Sequence, residues 1–164
     1  MSSMGLFSAE EAYDLAILTE QNGRTFYEAA EAAATTEAIA KLMAHLAEAE
    51  RNHEATFRAM KEQSPRHAPR EAYAGEAEEY MSALLFSRVL PDAEVGVKAV
   101  AAMQQDVAAL DFAIAFEKDT ILFMYEMRDI VAPEEAAKVT ALLAQEKSHV
   151  RILTQLRREL AGPE

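Results

Sequence analysis

Leu46-Ala47-Glu48-Ala49-Glu50-Arg51-Asn52-His53 returns 96 residues later as Leu142-Leu143-Ala144-Gln145-Glu146-Lys147-Ser148-His149, with Leu, Glu and His in register. On a helix, positions i and i+3 point the same way. Each Glu-x-x-His pair therefore presents one carboxylate and one imidazole from a single face, the donor set a transition metal takes in an N/O site. The chain has four histidines, and two of them fall in this motif.

The repeat extends outward into the preceding helix of each half. Tyr13-Asp14-Leu15-Ala16-Ile17-Leu18-Thr19-Glu20 lies against Leu110-Asp111-Phe112-Ala113-Ile114-Ala115-Phe116-Glu117, where Asp, Ala, Ile and Glu match at an offset of 97. Phe26 and Phe123 continue the match. The offset singles out Glu20 and Glu117 from 28 acidic residues. Both sit in mid-helix among apolar neighbours, and a carboxylate facing a core needs a partner because an unpaired buried charge is costly.

Punctuation along the chain predicts four long helices. Ser8-Ala9-Glu10-Glu11 reads as a capping box opening a helix whose apolar period runs through Leu15, Leu18 and Phe26 to about residue 34. Thr35-Thr36 offers a hydroxyl cap for a second helix, which stops near Gln63 where Ser64-Pro65 follows. Asp106 can cap a third, running to about Val131. Pro133, followed by Glu134 and Glu135, suits the first turn of a fourth, which Gly162-Pro163 ends. Residues 64–105 carry Pro65, Pro69, Gly75, Pro91 and Gly96 and read as a long crossover with short helices at 76–90 and 93–103. Short connections near 35 and 132 make two antiparallel hairpins, 8–63 and 106–161. The expected fold is all-α: a four-helix bundle with one long crossover, forming a single domain over 1–164.

Composition narrows the chemistry. The chain has 164 residues, 51% of them hydrophobic, and only 5 Gly, which favours helices over sheets. It has no cysteine. This excludes disulfides, thiolate zinc, iron–sulfur clusters and Cys₄ iron within these residues. A net charge of −12 argues against nucleic-acid binding. No apolar run is long enough for a membrane span, and the N-terminus lacks a signal pattern. The expectation is a soluble, cytoplasmic protein without membrane or nucleic-acid partners.

The candidate metal ligands are Glu20, Glu50, His53, Glu117, Glu146 and His149. One helix of each hairpin supplies a lone Glu and the other supplies Glu-x-x-His, the arrangement described for di-iron carboxylate bundles. Four carboxylates balance two divalent cations in a low-dielectric core. Glu50 and Glu146 are expected to be shared by two metals, with Glu20 and His53 completing one and Glu117 and His149 the other. The expected cofactor is two Fe ions, and Mn or Zn would also be admitted. Glu is common on exposed helix faces and a His can fall beside one by chance. Against that reading stand two equal motifs, two lone Glu at the repeat offset, apolar flanks and four helices of suitable length.

Tyr27 lies seven residues after Glu20 on the same inner face, where it could hydrogen-bond a ligand or supply an electron. Ordinary core packing is its competing reading. The repeat places Met124 there in the second half. Tyr125 is off-angle, His45 is expected to point elsewhere on its helix, and His67 lies in the crossover.

These residues resemble the ferritin-like superfamily and, within it, the rubrerythrin-type diiron domain. Glu20-x₅-Phe26-Tyr27 and Glu117-Lys118-Asp119-x₃-Phe123 are similar to its first and third helix signatures, and Glu50-Arg51-Asn52-His53 and Glu146-Lys147-Ser148-His149 to its second and fourth. The resemblance implies a non-haem diiron protein in which Fe(II) reacts with peroxide or O₂, an enzyme of peroxidase or ferroxidase type. It also implies a homodimer and an external electron donor. A ferritin-type iron-storage module, or a structural bundle holding Zn, are the alternatives. Two departures stand out. The chain carries no cysteine-ligated rubredoxin segment, and Thr120 occupies the place of an extra glutamate three residues after Glu117, with Gly23 as its counterpart.

Overall fold

The structure is a computed structural model, and it describes residues 8–64, 98, 100, 101 and 106–162. Among the described residues four long helices form: α1 Ala9–Ala33, α2 Glu37–Gln63, α3 Asp106–Ile130 and α4 Pro133–Ala161. Each boundary has a local chemical cause. Ser8 Oγ accepts from Glu11 N–H at 3.2 Å, while Glu11 Oε2 accepts from Ser8 N–H at 2.9 Å, closing the capping box. Thr36, the second of the two candidate hydroxyls, caps α2 by accepting from Ile39 N–H at 3.4 Å. Ala132 precedes Pro133, and its N–H donates to Glu135 Oε2 at 3.1 Å, so α4 keeps the returning half of a box without a capping hydroxyl. Gly162 ends α4 with φ of 77°, a conformation that favours glycine.

Asp106 differs from expectation. It is the first residue of α3, and its carboxylate accepts from the backbone N–H and the hydroxyl of Thr35. The residue thus ties the α1–α2 turn to the start of α3. Lys98, Val100 and Ala101 are helical, and Val100 is buried against Phe26 and its neighbours. The expected helix at 76–90, the rest of that at 93–103, and His67 lie outside the described residues.

α1 packs chiefly on α2 and α3 on α4, while α1 also meets α3 and α2 meets α4. These are two antiparallel hairpins side by side. The apolar core falls into two clusters. One contains Tyr13, Phe57, Met60, Phe123, Met127 and Leu143. The other contains Phe26, Tyr27, Met43, Leu46, Leu110 and Leu153. Along α1, Glu20 falls between the part serving the first cluster and the part serving the second. A polar belt therefore crosses the bundle between two apolar ends. Leu18, expected to follow the apolar period, is instead 44% exposed. Among the described residues no helix is long and apolar enough to cross a membrane.

Candidate metal centre

All six predicted residues converge. Glu50, Glu117 and Glu146 are fully buried, Glu20 and His53 are 1% exposed and His149 is 5% exposed. They form two overlapping groups whose donor atoms lie within 4.8 Å of one another: Glu20, Glu50, His53 and Glu146, and Glu50, Glu117, Glu146 and His149. The shared members are Glu50 and Glu146, the pair expected to lie between two metals. The imidazoles of His53 and His149 stack at 5.8 Å between centroids. His53 Nδ1 lies 2.7 Å from Glu146 Oε1 and 3.5 Å from Glu20 Oε2. His149 Nδ1 lies 3.0 Å from Glu146 Oε2 and 3.5 Å from Glu117 Oε1.

The donor set fits a metal on a test made by its own hydrogen bonding. Both oxygens of Glu20, both of Glu50 and Glu117 Oε2 are buried without a hydrogen-bond partner, whereas Glu146 Oε1 has His53 Nδ1 beside it. Each such orphan costs about 1–3 kcal/mol. A cation would satisfy all of them at once, because they face one another.

Electrostatics carry the same strain. Burial pushes the Glu20 carboxyl up. Burial, then the charges of Glu20, Glu146 and Glu117, pushes Glu50 well above the usual carboxylate range. Burial and Glu146 do the same to Glu117. Glu146 goes the other way: burial would raise it, but hydrogen bonding to His149 and His53 holds it well below the usual range. Burial alone would lower the histidines, but the adjoining carboxylates push His53 up to about 11 and His149 up to about 9. In the metal-free protein, protons occupy the place of cations.

Tyr27 does more than pack. Its hydroxyl, fully buried, donates to Glu117 Oε1 at 2.5 Å across the two hairpins. Burial and the Glu117 charge push its own ionisation well above the ordinary tyrosine value, so the proton is held. Tyr125 is at the surface, between Arg128 and Lys147. His45 is exposed, yet its ring meets the edge of His149 at 6.4 Å between centroids, nearer the site than its spacing suggests.

The roles of three contributors were not evident from the sequence. Glu54 is 8% exposed and accepts from Gln21, Arg24 and Arg58, pinning α1 to α2 beside Glu20. Burial would raise Glu54, but these donors hold it below the usual range. Gln145 Oε1 lies 3.0 Å from His53 Nε2. Gly23 is the third: a Cβ there would lie 2.5 Å from Glu50 Oε2 and 2.8 Å from the Phe116 ring. The repeat alignment pairs it with Thr120 but does not say what it faces. Glycine in a helix interior costs about 1 kcal/mol relative to alanine, and here it makes room for Glu50. Gly23→Ala is expected to change stability by less than about 1 kcal/mol, since helix propensity offsets the crowding. It is expected to weaken metal binding by at least about 10-fold by displacing Glu50. Thermal melts and Zn(II) titration of the variant check both numbers.

A bundle of two helical hairpins with one buried carboxylate–histidine metal site at its middle is a ferritin-like architecture. The sequence matches the rubrerythrin family over residues 11–157, and the chain belongs to that family. The fold is similar to the crystal structure of a protein from Thermotoga maritima described as ferritin-like and diiron-carboxylate, with TM-score 0.73 and 27% identity, over 93% of this chain and 96% of that one. No curated protein matches the chain.

Proposed function

We propose that the chain is a diiron oxidoreductase that oxidises Fe(II) with peroxide or O₂. The observation that carries this reading is the pair of four-donor groups sharing Glu50 and Glu146, with their inward oxygens unpartnered. Glu20 and His53 would hold one iron, Glu117 and His149 the other, with Glu50 and Glu146 common to both. Two Fe(II) bound there supply two electrons, which with two protons reduce H₂O₂ to two waters. The apolar clusters on either side keep bulk water from the carboxylates. Tyr27 keeps its proton at Oη and orients Glu117 through it. Electrons to restore Fe(II) would come from an external donor, since these residues hold no cysteine-ligated redox centre.

Anaerobic loading with Fe(II), followed by H₂O₂ or O₂, tests the reading. Two irons per chain and a near-ultraviolet ferric absorption developing within seconds of peroxide addition are expected. Tyr27→Phe is expected to keep both irons while slowing that reaction by about 10–100-fold, the usual effect of removing a hydrogen bond to a metal ligand. Retention of many irons per chain would favour storage instead. Bound iron inert to both oxidants would remove the oxidoreductase reading.

A further inference from the structure

The repeat makes the ligands two-fold, but the groups behind them are not. Gln145 sits on α4 beside Glu146 and reaches across to His53 on α2, with its Oε1 3.0 Å from His53 Nε2. A ring nitrogen facing an amide oxygen carries the proton and donates. The lone pair available to a metal is then on Nδ1, the atom that faces Glu20 and Glu146. The hydrogen bond also fixes rotation of the imidazole about its bond to Cβ.

At the offset of 96, the counterpart of Gln145 is Ala49, which has no polar side chain to serve His149. Among the described residues, His149 meets the edge of the exposed His45 ring instead. Among the described residues His149 therefore has no counterpart of the amide acceptor that His53 has.

We infer that Gln145 is a positioning residue that makes the two half-sites unequal, so that the half-site of Glu20 and His53 takes its metal more tightly than that of Glu117 and His149. This rests on the two-metal reading. Partners of metal-bound histidines typically contribute about 10–100-fold in affinity, which is enough to separate two binding steps. It gives an order of filling to a ligand set that the repeat makes two-fold.

Gln145 is exposed, so replacing it removes the hydrogen bond without opening a core cavity. The test is calorimetric titration of the metal-free full chain with Zn(II), joined to nitrogen-15 NMR of the histidine rings. The wild type is expected to bind two Zn(II) in resolved steps, with a slowly exchanging Nε2–H signal on His53. Gln145→Leu is expected to weaken the tighter step by about 10–100-fold, spare the looser one and lose that signal. Gln145→Glu, which keeps an acceptor oxygen, is expected to restore both. If Gln145→Leu alters neither step, the looser step alone, or both equally, the inference is overturned while the two-metal reading stands. A wild type that binds no Zn(II) or Fe(II) would remove both.

Discussion

Loading the metal-free chain with two equivalents of a tightly bound divalent metal is expected to raise its melting temperature by about 15–30 °C. A ligand present at about a thousand times its dissociation constant stabilises the folded state by roughly 4 kcal/mol. Two such sites give about 8 kcal/mol, and a chain of this length gains about 2–4 °C per kcal/mol. The gain is expected to grow with pH. His53 and His149 have folded-state values of about 11 and about 9 against 6.5 for a free histidine. Their contribution to the metal-free protein is complete below pH 6.5 and is lost as pH rises through those values. The raised carboxyls of Glu20, Glu50 and Glu117 act in the same direction, their contribution lost as pH rises from the ordinary carboxylate range. Glu146 acts oppositely, its contribution present at neutral pH and lost only in acid. Metal displaces the histidine protons, so the loaded protein escapes the alkaline loss. Scanning calorimetry with and without chelator, near pH 6.5 and near pH 9, measures the two differences. An equal gain at both, or none, would mean that protons and metal do not compete for this cluster.

Replacing Glu50 by Met is expected to move stability and metal binding in opposite directions. Glu50 is fully buried with both oxygens unpartnered, and it belongs to both four-donor groups. A thioether of similar reach removes the unpaired polar atoms. The metal-free variant is then expected to gain about 1–3 kcal/mol, or roughly 2–12 °C. The same change takes one donor from each half-site, so the metal-dependent gain is expected to disappear. Melts of wild type and variant, with and without Zn(II), give all four values. A variant less stable without metal would make Glu50 a structural strut; one that still gained about 15 °C with metal would remove it from the site.

Much of this was legible in the chain itself. Helix boundaries followed from Ser8, Thr36, Pro133 and Gly162 because caps and breakers act locally. Glu20 and Glu117 could be picked from 28 acidic residues because a duplicated hairpin repeats its constraints at a constant offset. What escaped were contacts between helices that the repeat does not duplicate. Gln145 has Ala49 opposite it, so symmetry did not mark it, and the pairing of Gly23 with Thr120 did not show that Gly23 faces Glu50. Glu54 carries no mark in the sequence, because its partners Gln21 and Arg24 come from another helix. Leu18 followed the apolar period yet stayed exposed, because periodicity says which side a residue takes and not what covers that side.

The amino-acid sequence by itself determined the four helices, their pairing into hairpins and the identity of the six inward donors, since caps, periodicity and repeat spacing are written along one strand of chain. Only the tertiary structure decided that Tyr27 holds Glu117, that Gln145 backs one histidine alone, and that Gly23 leaves room for Glu50. Each of these depends on distances of a few ångströms between separate helices, and those distances come from packing and not from any single segment.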